Sequence, residues 1–116
     1  MIIFHNNRCS KSREALELLK QNNCEIEIRD YLNIPPSQKE IKEILELLKC
    51  KPIDIVRKTE TLYKENFKDK KITDKNWIEI LSKNPILIER PIVIDGNKAV
   101  IGRPPALVID LIKRKK

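Results

Sequence analysis

A chain of 116 residues with 24 Lys and Arg, 17 Asp and Glu and one His carries a formal charge of +7. That length points to one domain of ordinary size rather than two independent cores. Apolar residues reach 41% and aromatics only 4%, so the core is aliphatic, while the 35% of charged residues alternate in sign within a periodic apolar pattern, which excludes a disordered chain. No apolar run approaches a membrane span, and Met1-Ile2-Ile3-Phe4 is too short for a secretory signal. Cys9, Cys24 and Cys50 are an odd set without a C-x-x-C pair, and with a single His they make no zinc site of the usual kind. The expectation is a cytoplasmic monomer with free thiols, no bound metal or cofactor and no membrane partner.

In chain order, Ile2 to Phe4 reads as a short strand, closed by the polar stretch His5-Asn6-Asn7-Arg8. From Ser10 the period changes: Ala15, Leu16 and Leu19 share one helical face, and Asn22-Asn23 suits a helix stop. Cys24, Ile26 and Ile28 then alternate with charged residues, the pattern of a half-buried strand. Strand, helix and strand make a βαβ unit with parallel strands. Pro35-Pro36 interrupts, Ser37 to Glu40 matches a capping box, and Ile41, Ile44, Leu45 and Leu48 mark an amphipathic helix. A short helical stretch follows Pro52, residues 58 to 72 are polar with Leu62, Tyr63 and Phe67 as scattered anchors, and Thr73 or Asp74 caps a helix carrying Trp77, Ile80 and Leu81 that ends at Asn84-Pro85. Ile92-Val93-Ile94 and Ala99-Val100-Ile101 flank Asp95-Gly96-Asn97-Lys98, a hairpin with glycine where a tight turn needs positive φ. Pro104-Pro105 opens a last helix through Leu107, Val108, Leu111 and Ile112. The order is the thioredoxin-like one: an α/β domain spanning 1–116, with a β-α-β-β-α core, a mixed four-stranded sheet, and a helical insertion at about 37–86 between the second and third strands.

In such a fold the loop after the first strand lies at the carboxyl edge of the sheet, where open α/β sheets bind ligands. Cys9 is in that loop and immediately precedes the first helix, so unpaired N–H groups and the positive dipole end face its sulfur. Arg8, Lys11 and Arg13 surround it in sequence before the first acid, Glu14. An ordinary thiol, with a pKa of about 8.5, is only roughly 3% thiolate at pH 7; lowering it by about two units would raise that to roughly three-quarters. The donors that stabilise a thiolate would also hold an incoming oxyanion. His5, the one histidine, is either a supporting hydrogen-bond partner of this site or an ordinary strand-terminal side chain. Cys24, expected on the inward face of the second strand, and Cys50, at a helix end, read as structural, with a resolving role the alternative for either.

Spacing excludes two familiar thiol chemistries. A thioredoxin-type dithiol needs a cysteine where Ser12 stands, and a C-x5-R phosphatase loop needs arginine where Ala15 stands. A single nucleophilic thiol dependent on an outside reductant remains. The four charges of Lys113, Arg114, Lys115 and Lys116 read as a solvated helix end. Nucleic acid is set aside as a partner, since neither a zinc-finger spacing nor an aromatic stacking motif is present.

The segment His5-Asn6-Asn7-Arg8-Cys9-Ser10-Lys11-Ser12-Arg13 resembles the H-N-x-x-C-x-x-S-R loop of the glutaredoxin-linked arsenate reductases, a family related to the Spx-like regulators. Asp30-Tyr31-Leu32 with Pro35-Pro36, Ile55-Val56-Arg57-Lys58, Asn84 to Ile92 and Gly102-Arg103-Pro104 resemble its later motifs, in order along nearly the whole chain. The resemblance implies that Cys9 attacks arsenate, that glutathione adds to the arsenic as co-substrate, and that glutaredoxin completes reduction to arsenite. It also implies that Arg57, Arg90 and Arg103 handle the anion, with His5, Ser12 and Arg13 in support, and that Arg90-Pro91 is a cis bond. Guanidinium suits this duty because it stays charged and offers a planar fork to an oxyanion. Where family members often carry Pro and a small residue, this chain has Asn7 and Arg8, a more basic loop. Two rivals are an Spx-like regulatory module contacting RNA polymerase and a related thiol oxidoreductase with another substrate. Ser12 argues against the disulfide-switch form of the first, because the second thiol is absent.

Overall fold

The aliphatic run at the start of the chain forms β1 (Ile2–Phe4), and the helical period that follows forms α1 (Ser10–Gln21). In this computed structural model, which describes residues 1–113, the chain divides into two compact units. One is built from Met1–Ile34 and the stretch that begins at Arg90; the other is Pro35–Glu89. The expectation for the basic tail lies outside the described residues, apart from the backbone of Lys113.

The first unit holds β1, α1, β2 (Glu27–Arg29), β3 (Ile92–Asp95), β4 (Lys98–Ile101) and, at its end, α5 (Leu107–Lys113). The sheet runs β2-β1-β3-β4, with β1 parallel to β2 and antiparallel to β3, and β3 antiparallel to β4. This is the mixed four-stranded sheet that the sequence leads one to expect. Ile3, Ala15, Leu19, Val93, Val108 and Leu111 form its buried core between sheet and helices, each larger side chain contributing about 1.5–3 kcal/mol on burial. Asn23 takes the left-handed conformation just past α1 (φ 57°), a stop that asparagine tolerates well. In the hairpin, Gly96 has φ +60° while Asn97 does not share it, so the sharp reversal uses the residue with no Cβ.

Two expectations in this unit need correction. The second strand is only Glu27–Arg29, so Cys24 lies ahead of it, packed partly against the core. Ile28 is 51% exposed, because β2 is the edge of the sheet and alternation alone does not guarantee cover there. The last helix begins at Leu107; Pro104 and Pro105 sit in the turn before it.

The second unit contains α2 (Gln38–Leu48), α3 (Thr61–Asn66) and α4 (Asp74–Lys83), with 3-10 turns at Pro52–Ile55 and Pro85–Leu87. The capping box forms as expected: Ser37 Oγ accepts from the Glu40 N–H and Glu40 Oε1 accepts from the Ser37 N–H, both at 3.1 Å. Thr73 Oγ1 caps α4 by accepting from the Asn76 N–H at 3.2 Å. Helix α3 falls inside the polar segment 58 to 72, for which the sequence names no element of its own. It is six residues long and none of them is buried, so it carries no apolar stripe from which to read it. Tyr63 and Phe67 instead pack on Trp77, with ring centroids at 6.4 and 5.7 Å. Among the described residues no helix is long and apolar enough to cross a membrane.

Candidate active site around Cys9

The carboxyl end of β1 delivers the chain into a tight polar turn. Hydrogen bonding to β2 runs one residue past the strand, with the His5 N–H donating to the Arg29 carbonyl at 3.0 Å. The Cys9 N–H then donates back to the Asn6 carbonyl at 3.0 Å, closing the turn, and the Arg8 N–H donates to Asn6 Oδ1 at 2.9 Å. Asn6 is thus an Asx-turn residue, buried at 7% exposure, and it shapes the loop from within. It is not among the residues singled out from the sequence as functional, although a turn-forming Asn two residues ahead of Arg8 is a local signal.

Cys9 is the N-cap residue of α1, extended at φ −94° and ψ 120°. Its carbonyl begins the helix by accepting from the Arg13 N–H at 3.0 Å, while its sulfur faces the orphan N–H groups of the first turn. Burial acts to raise the thiol pKa. Against it stand the Ser12 and Lys11 N–H groups of the first helical turn, the Arg90 side chain and the Arg103 charge, and together they bring it below the ordinary range. Arg103 Nη2 donates to Sγ at 3.4 Å, and Arg103 Nε donates to the Arg90 carbonyl at 2.6 Å. One guanidinium therefore touches the nucleophile and grips the backbone of the other arginine. Both arginines precede prolines in cis bonds, Arg90-Pro91 and Arg103-Pro104; the second has no counterpart in the sequence reading.

Beneath the turn lies a buried polar knot. Ser12, fully buried, has its Oγ 2.6 Å from His5 Nδ1 and accepts from the Asn6 N–H at 3.0 Å. We assign the hydroxyl proton to a bond donated to Nδ1 of a neutral imidazole, which satisfies all three groups. Burial, only partly opposed by the Asn7 side chain and Asp30, holds His5 below the ordinary histidine range, in keeping with that neutral form.

Gly102, next to Arg103, donates its N–H to the Pro91 carbonyl at 2.8 Å. A Cβ there would meet Pro91 Cγ at 2.9 Å and Val108 Cγ1 at 3.2 Å. The missing side chain is what allows the two proline segments to lie together and bring Arg103 onto the sulfur.

Of the residues singled out from the sequence, Cys9, Arg90 and Arg103 come together here, with Ser12 and His5 directly behind the turn. Arg13 is exposed on α1, contributing its backbone N–H to the helix start. Arg57 belongs to the second unit, where its Nε lies 3.2 Å from Glu60 Oε1 and its N–H donates to the Leu87 carbonyl at 2.6 Å.

Comparison with known proteins follows the same residues. The model of the ArsC family matches residues 4–110. The chain is 42% identical to YfgD of Escherichia coli K12, an uncharacterized protein, over 95% of this chain and 94% of that one. It is 40% identical to an arsenate reductase of Neisseria meningitidis serogroup B over 88% and 89% of the two chains. A solved arsenate reductase from Vibrio cholerae superposes with a TM-score of 0.88 at 38% identity, covering 94% of each chain. Sheet order and structural likeness together make the fold thioredoxin-like.

Proposed function

We propose, since this chain belongs to the ArsC family, that it is a cysteine-dependent arsenate reductase with Cys9 as the nucleophile and glutathione and glutaredoxin as reductants. The observation that carries this is the placing of the Cys9 sulfur at the start of α1 with the Arg103 guanidinium 3.4 Å away and Arg90 hydrogen-bonded to it. A thiolate so held is nucleophilic near neutral pH. The same donors suit a small tetrahedral oxyanion. Kinship with proteins named arsenate reductases supports arsenate as that anion.

In the proposed sequence, the Cys9 thiolate attacks arsenic, an As–S bond forms, and one arsenate oxygen leaves as water after taking up protons. Glutathione then displaces a second oxygen as water, adding its sulfur to the arsenic with no change of oxidation state. A glutaredoxin thiolate attacks the glutathione sulfur, and the As–S electron pair stays on arsenic. As(V) becomes As(III) while the two thiols become a mixed disulfide. Water finally releases arsenite and restores Cys9. Arg90 and Arg103 offset the anion's charge throughout, the duty that the family resemblance also gives Arg57. Ser12 and His5 act by holding the turn. Charge stabilisation of this kind gains strength where water is excluded.

The test is arsenate-dependent NADPH consumption in a coupled glutathione–glutaredoxin–glutathione reductase assay. Wild-type protein should turn over arsenate, Cys9→Ser should not, and Arg103→Ala should lose about 10²-fold or more, the scale for deleting one charge-stabilising donor. Wild-type protein indistinguishable from a blank without enzyme would sink the arsenate assignment.

A further inference from the structure

We infer that the hollow between the Cys9 turn and the exit of β2 binds the α-amino-acid end of the thiol that resolves the Cys9 adduct. The hollow opens at the carboxyl ends of the parallel pair β1 and β2, where α/β sheets bind ligands. Asn7 and Arg8 line one wall; Ile28, Asp30, Leu32 and Asn33 line the other. Arg8 is exposed, and its guanidinium has no ion-pair partner among the described residues. Asp30 is exposed as well; its Oδ2 accepts from Asn33 Nδ2 at 2.6 Å, which orients the carboxylate without neutralising it. Among the described residues neither charge has an ion-pair partner, so a cation and an anion face a common space, with the half-exposed Ile28 as an apolar wall.

That arrangement fits a zwitterion: an α-carboxylate on the Arg8 fork and an α-ammonium on Asp30. The ligand class is a small peptide thiol with a free α-amino and α-carboxyl group, the chemistry glutathione carries at its γ-glutamyl end. Arg8 is bonded to Cys9, and the Cys9 N–H returns to Asn6, so one wall of the hollow and the nucleophile share one turn. The inference rests on the arsenate-reductase reading only for the identity of the step it serves; the hollow's ligand chemistry can be measured without arsenate.

The experiment is an NMR titration of the ¹⁵N-labelled full chain with S-methylglutathione, a thioether that cannot exchange with Cys9. Saturable shifts at Arg8, Asp30 and Asn33 are expected, with a dissociation constant of about 1–10 mM. Affinity should fall roughly tenfold in Arg8→Ala and in Asp30→Asn and stay unchanged in Lys39→Ala on α2. 2-(Methylthio)ethanol, which lacks the amino-acid end, should cause no saturable shift. Each variant's own amide spectrum reports whether it is folded. In the coupled assay both pocket variants should raise the KM for glutathione and leave that for arsenate alone. No saturable shift in the wild type, or equal binding in the variants, overturns the inference even if arsenate is turned over. Binding without any arsenate turnover upholds the hollow and overturns the arsenate assignment instead.

Discussion

Ser12→Ala removes a single buried oxygen and leaves its partners in place. Ser12 is fully buried, and its Oγ serves His5 Nδ1 at 2.6 Å and the Asn6 N–H at 3.0 Å, in residues themselves 7% exposed. Each stranded polar group costs about 1–3 kcal/mol. Two of them, with some relief from water reaching the imidazole, give an expected loss of about 2–4 kcal/mol. At about 4 °C per kcal/mol for a domain of this size, the melting temperature should fall by about 8–16 °C. Circular dichroism on heating and in urea measures this directly, and an unchanged urea slope would show that the denatured state is unaffected. A double-mutant cycle with His5→Phe should return a coupling of about 1 kcal/mol, because the two side chains share one bond. The same substitution loosens the turn that aims the Ser12 N–H at the sulfur, so alkylation of Cys9 should require higher pH. A loss under about 0.5 kcal/mol, the ordinary range for a featureless site, would refute the idea that this hydroxyl anchors the turn.

Other outcomes follow from neighbouring groups. Arg103→Gln should move the pH midpoint of Cys9 alkylation up toward the ordinary thiol value of about 8.5, since it removes the charge beside the sulfur; an unmoved midpoint would exclude Arg103 from thiolate stabilisation. Gly102→Ala should cost about 1–3 kcal/mol by overpacking against Pro91 and Val108 and cut turnover by displacing Arg103; wild-type stability and activity would show that the contact relaxes freely. His5 has its pKa lowered mainly by burial, so the unfolded chain binds the proton first. Stability should therefore fall as pH drops below about 6.5 toward the folded value, and urea midpoints for His5→Phe should lack that part of the fall.

Local signals were legible and long-range ones were not. The run Ile2–Phe4, the apolar face of α1, the Ser37–Glu40 capping box and the Gly96 turn each rest on residues within a few positions of one another, and the structure contains all of them. Helix α3 lies within the expected helical insertion, but no apolar stripe marks its own bounds. Ile28 was placed inward because alternation says which face a residue takes, not whether anything covers that face at a sheet edge. The thiol at the start of α1 could be argued from the helix terminus alone. The guanidinium that touches it lies 94 residues further along the chain, and no spacing rule links the two. The arginines entered through family resemblance. The positive charge beside Cys9 in the sequence is that of Arg8, Lys11 and Arg13, whereas Arg90 and Arg103 are the cations that act most on it in the fold.

The most direct measurement is the pH dependence of Cys9 alkylation by iodoacetamide, read at that residue by peptide mass, with and without arsenate. An activated thiolate beside an anion site predicts a midpoint below about 8.5 and protection by arsenate that saturates with its concentration. A midpoint at the ordinary thiol value with no protection would contradict the account.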